Sequence, residues 1–192
     1  MSRLKNYLPQ DILLTIYNSL IMPHIQYGIL CWGHKSERIM KLQKRAMRLI
    51  TRSKYNSHTE PLYKELKCLK ASDIYSQNML KFYFKHENSK LPHYFTHMSF
   101  TIDPLHSHNT RFKHSINLPK PDTKTGGKCL RYILPKTLQK TPSCIKDKVK
   151  THSPQGFSNY IKQYYISNYR EHCVIENCYI CNRNHSPSPS PT

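Results

Sequence analysis

The sequence predicts an all-α protein: a helical bundle, then a loop-rich linker, then a smaller helical unit with a disordered tail. Three observations carry that expectation. Apolar residues recur at three- and four-residue spacing in successive stretches. Helix-start clusters precede several of those stretches. The connections between the early stretches are short, which makes neighbouring helices pack on each other.

In chain order, Pro9 and Asp11 open a helix whose broad apolar face carries Ile12, Leu13, Ile16, Tyr17, Leu20 and Ile21. Pro23 should break it and start a second short helix through Tyr27 toward Trp32, ended by Gly33. The next helix is the most informative. Ser36 is its expected N-cap, and Glu37 stands in the first turn, where the helix dipole favours a negative charge. With Lys41 at the origin of a wheel of about 100° per residue, Lys44, Arg45, Arg48 and Arg52 fall within roughly 60° of it. Ile39, Met40, Leu42, Ala46, Met47, Leu49 and Ile50 fill the opposite arc. One face packs and the other offers a cationic stripe suited to a phosphate backbone. A solvated basic face on an ordinary core helix has the same pattern.

Thr59, Glu60 and Pro61 start a further helix with Leu62, Tyr63, Leu66 and Leu69. Ser72 and Asp73 open another, with Ile74, Met79, Phe82 and Tyr83, which closes near Glu87 to Lys90. Residues 8–96 therefore read as one bundle. Residues 97–127 read as a linker rich in His, Ser, Asn and Pro. Its His106, His108 and His114 have no acid or cysteine at ligand spacing and are expected to be surface groups. Lys124 to Lys128 forms a turn without the glycine spacing of a phosphate loop. Residues 128–170 form the small unit, with a helix from Lys128 stopped by Pro135 and another carrying Phe157, Tyr160, Ile161, Tyr164 and Tyr165. Residues 171–186 hold a Cys/His cluster, and 187–192 are a low-complexity, disordered tail.

Thirty Lys and Arg against eleven Asp and Glu give a net charge of +19, spread along nearly the whole chain. A compact state with that excess repels itself, so an anionic partner is the economical explanation, nucleic acid before acidic membrane. Fourteen tyrosines interleave with the cations. Such rings suit stacking on unpaired bases, although most should be half-buried packing residues. No Asp, Glu, Lys or Arg lies between Asp11 and Lys35, but Asn18, Pro23, His24 and Gln26 argue against a membrane span.

Seven cysteines without a leading apolar segment suggest reduced thiols in cytoplasm or nucleus. Cys178 and Cys181 form a C-x-x-C step that suits two thiolates on one zinc, and Cys173 and His185 would complete a tetrahedron, with His172 a competing donor. Unliganded thiols are the alternative. Cys31, Cys68, Cys129 and Cys144 are scattered and are expected to be small buried apolar groups. Asp11, Asp73, Asp103, Asp122 and Asp147 lie far apart, so no local motif gathers carboxylates around paired metals. No nucleophile elbow or H-E-x-x-H helix is present, and no catalytic residue is assigned.

The runs LPQDILLTIYNSLIMPHIQYGILCWG, IMKLQKRAMRLIT, HTEPLYKELKCLKASDIY and LKFYFKH resemble the C-terminal part of reverse transcriptases of jockey-like non-LTR retrotransposons. Tyr17, Pro23, Tyr27, Gly28, Trp32 and the Leu42-Gln43-Lys44 step carry most of the likeness. The HNTR segment at His108 to Arg111, the GFSNYIKQYY run and the terminal cysteines are similar to elements further downstream. The resemblance implies a thumb region, which grips template–primer duplex leaving the catalytic palm, followed by a C-terminal extension. The palm's paired aspartates have no counterpart here, so the expectation is a fragment of an RNA-directed DNA polymerase, not an enzyme by itself. The cysteines depart from the Cys-Cys-His-Cys order of retroelement knuckles. The expected partner is RNA or DNA, an RNA–DNA duplex foremost, together with the palm and fingers of the parent enzyme. A stand-alone zinc-dependent nucleic-acid-binding protein and a decayed element copy without function are the alternatives.

Overall fold

A computed structural model of the chain describes residues 3–95, 120–124, 126–171 and 178. Among them every regular element is helical, as expected for an all-α protein. No described helix is long and apolar enough to cross a membrane. The residues fall into two compact units, one of 1–27, 35–73 and 163–192, the other of 28–34 and 74–162. This grouping differs from the sequence-based boundaries at 96 and 128. The reason lies in the helix Ala71–Glu87, whose residues contribute to both cores.

In the first unit α1 (Gln10–Ile16) runs through a π turn (Tyr17–Ile21) into α2 (Met22–Gln26). Pro23 therefore does not break the helix. A proline inside a helix clashes with the carbonyl four residues back, and a wider turn relieves that crowding. The break falls at Gly28, whose φ of +59° is open to glycine and costly for other residues. Beyond it lies α3 (Ile29–Trp32).

The amphipathic helix is α4 (Glu37–Ile50), which packs against α1 and against α5 (Glu60–Glu65). Ser36 occupies the N-cap position, but its side chain makes no capping hydrogen bond. Instead its carbonyl accepts Met40 N–H at 2.8 Å. The helix buries Gln43, Ala46, Met47 and Ile50 with Leu13, Tyr17 and Tyr63. Leu42, placed by the wheel on the packed arc, is 67% exposed. It lines an open apolar groove of about 320 Å³ with Leu20, Ile21 and Ile39.

α6 (Ala71–Glu87) has the expected start and end. Its later residues Met79, Leu80 and Phe84 join the second unit's core with α7 (Leu130–Lys140), α8 (Ser143–Thr151) and α9 (Pro154–Ser167). Phe84 stacks on Phe157 with ring centroids 4.8 Å apart, and Gln77 Nε2 donates to Ser158 O at 2.9 Å. α7 continues through Pro135 instead of stopping there. A mid-helix proline costs about 3 kcal/mol, and burial of Leu134, Pro135 and Leu138 offsets it. Gly33 is needed for contact: a Cβ there would stand 2.2 Å from the Tyr75 ring.

Of the four scattered cysteines, Cys68 is buried whereas Cys31, Cys129 and Cys144 are exposed. Cys129 is the N-cap of α7 and Cys144 lies in the first turn of α8, positions at helix ends that face water. His106, His108, His114, the HNTR segment and residues 187–192 lie outside the described residues.

Candidate nucleic-acid interface

The buried residues of α4 occupy positions 43, 46, 47 and 50, an arc centred opposite Lys41. The core thus fixes which way the cations point. Lys41 and Arg45 are exposed, and Lys44 and Arg48 are half-buried. Arg38, which the sequence reading did not include, is exposed on the same face, three residues before Lys41. Its position was readable from the same wheel.

Arg48 and Arg52 are held differently from the others. Arg48 Nε donates to Ser57 O at 2.9 Å and so ties down the loop after the helix. Arg52 lies beyond the helix end, in a left-handed conformation with φ of 54°. Ser53 N–H donates to Arg48 O at 3.0 Å, the six-to-one bond of a Schellman ending, with Arg52 in the slot glycine usually fills. That conformation costs a non-glycine residue about 1–2 kcal/mol. The guanidinium compensates by donating from Nη2 to Leu8 O at 3.1 Å. The wheel position given to Arg52 does not apply, because the helix has ended.

Ion pairs among the described residues use other groups: Lys64 with Glu171 at 2.8 Å and Lys70 with Glu60 at 2.7 Å, while His86 Nδ1 lies 3.5 Å from Glu87 Oε1. The Lys70 ammonium beside Glu60 holds that carboxyl below its ordinary range. No described carboxylate pairs with Lys41, Lys44, Arg45, Arg48 or Arg52. Among the described residues nothing neutralises the positive charge of this face. Tyr55, 86% exposed, stands in the loop that Arg48 tethers. An exposed flat ring of this kind has the shape that stacks on unpaired bases. Most tyrosines pack, as the sequence suggests, with Tyr17, Tyr63 and Tyr169 buried.

What the sequence reading missed is the support under the face. Gln43, 2% exposed, donates from Nε2 to Tyr17 Oη and to Leu69 O, each at 2.8 Å. Its Oε1 accepts Ala71 N–H at 2.8 Å. Tyr17 in turn donates to Met22 Sδ at 3.6 Å. One side chain thereby joins α4 to the π turn and to the start of α6. Burial pushes the Tyr17 hydroxyl up to about 12. A glutamine between Leu42 and Lys44 gives no signal of burial until its partners are placed.

Of the expected zinc ligands only Cys178 is described; Cys173, Cys181 and His185, like His172, lie outside the described residues. Among the described residues no three His, Cys, Asp or Glu side chains converge. Comparison with protein-family models, curated proteins and solved structures returns no match.

Proposed function

We propose that the chain is the nucleic-acid-gripping, thumb and downstream part of a non-LTR retrotransposon reverse transcriptase, without the catalytic palm. The observation that carries the binding claim is the face of α4: Lys41 and Arg45 are exposed, aligned by the buried arc behind them, and without a described carboxylate partner. Phosphates of a template–primer duplex lie along this face, and Lys44 and Arg48 flank the contact. Arg52 serves mainly to fix the end of the helix against Leu8. The sequence resemblance supplies the particular enzyme and the duplex as ligand; the helix geometry supplies the surface.

The test is binding of the full chain to an RNA–DNA hybrid after reversing Lys41→Glu and Arg45→Glu together. Affinity at low salt should fall by about tenfold or more for each reversed charge, with the helical circular-dichroism signal retained. A folded double variant that binds as tightly as the unaltered chain would refute the assignment.

A further inference from the structure

Two leucines that the sequence pattern assigns to packed faces stand open to water in the same place. Leu20 belongs to the π turn and is 63% exposed, and Leu42 lies on α4 and is 67% exposed. Both line the apolar groove of about 320 Å³, whose lining residues all belong to the first unit. On one wall Ile39, Leu42 and Ala46 follow each other at three- and four-residue spacing along α4. On the other stand Leu20, Ile21 and Ile25, from the π turn and α2. Single exposed leucines are ordinary on a protein surface. A pair that shares one recess makes a contiguous apolar patch.

The walls are held in place from beneath. Gln43 is among the lining residues, and its amide is engaged with Tyr17, Leu69 and Ala71, which fixes α4 against the π turn. Of the lining side chains, that leaves a small polar ligand only the His24 imidazole to fix its orientation. A helix needs no such group. Its backbone hydrogen bonds are internal, and its apolar stripe enters a groove through anchors one turn apart. Charge selects which helix. Arg38 stands four residues before Leu42 and Arg45 three after it, so both flank that leucine on the surface of α4, and both are exposed. His24 is exposed on the opposite wall. The acids of the two walls' helices are remote: Asp11 is in the first turn of α1, and Glu37 lies about 140° around α4 from Leu42.

We propose that this groove docks an acidic amphipathic helix of another protein. Aliphatic anchors of that helix fill the recess between Leu20 and Leu42, and its carboxylates meet Arg38 and Arg45. A second copy of this chain is a poor occupant, because a net charge of +19 sets the copies against each other. A bilayer takes a protruding apolar face, not a recess between helices. Leu20 and Leu42 lie outside the cations assigned to phosphate, so the docking site stands or falls apart from the nucleic-acid reading.

The experiment displays a library of helices of about sixteen residues, with Leu, Ile or Phe at anchors one turn apart and randomised flanking positions. Binders are selected on the full chain and counter-selected on Leu20→Gln/Leu42→Gln, which puts a good helix former at two exposed sites. Selected helices should carry Asp or Glu beside the anchors. The double variant should bind them about tenfold more weakly, with its affinity for an RNA–DNA hybrid unchanged. Arg38→Glu should weaken the acid-flanked helices and spare versions with glutamine flanks. No selection above the double variant, or selected helices without an acidic bias, would overturn the proposal. So would dimerisation of the chain, or binding to phosphatidylserine vesicles, that the double variant abolishes.

Discussion

Gln43 shows how much a single side chain can organise. Its amide uses both N–H groups and its oxygen in bonds that are all buried. Truncation to alanine strands the Leu69 carbonyl and the Ala71 N–H away from water. Each buried group so orphaned costs about 1–3 kcal/mol, so Gln43→Ala should destabilise the first unit by about 3 kcal/mol, read as a lower midpoint in urea. Glutamate is no safe substitute, because both of its oxygens accept and one would face the Leu69 carbonyl. The sequence concealed this residue for a physical reason. Burial of a polar group is set by partners distant in the chain, here Tyr17, Leu69 and Ala71, and not by local periodicity. The cations were legible because they lie opposite a core arc that is itself periodic.

Among the elements, legibility followed amphipathicity. α4 has a sharply two-sided pattern, and its apolar and basic arcs emerged nearly as read, apart from Leu42 and the displaced Arg52. α6 is apolar on several sides, which marks a helix enclosed by neighbours but does not say which neighbours. α8 has only Ile145 and Val149 as its buried stripe, among three lysines, too thin an apolar pattern to mark a helix in the sequence. Both prolines depart from the sequence pattern in the same direction, since the π turn accommodates Pro23 and core burial holds Pro135 inside α7. Helix endings share a device: Arg52, Lys67 and Ser89 all take left-handed φ after α4, α5 and α6, in a chain with five glycines. At the α5–α6 junction the Tyr169 hydroxyl bridges Asp73 and Lys70 N–H, while Lys70 Nζ lies 4.3 Å from the Tyr169 ring centroid. Tyr169→Phe keeps the ring contacts and deletes the bridge. It should cost about 1–2 kcal/mol, measured as a fall in the thermal midpoint, and an unchanged midpoint would show that the bridge contributes nothing.

For the molecule as a whole, the all-α class was readable and the grouping of helices was not. Residues 163–171 belong with the first unit although α7 and α8 precede them in the sequence, and local patterns cannot report such returns of the chain. Net charge is the second whole-molecule property. Eleven acids cannot neutralise thirty Lys and Arg, and the described ion pairs spend carboxylates on Lys64 and Lys70, not on the cations of α4. A cationic surface that binds a polyanion gains affinity by releasing counterions, so the proposed binding is predicted to weaken steeply with salt. The most direct measurement is the slope of log affinity against log salt for the full chain on an RNA–DNA hybrid, compared with Lys41→Gln/Arg45→Gln. The slope should flatten by about two, one for each lost phosphate contact. An identical slope in the two proteins would contradict the assignment of α4 as the gripping face.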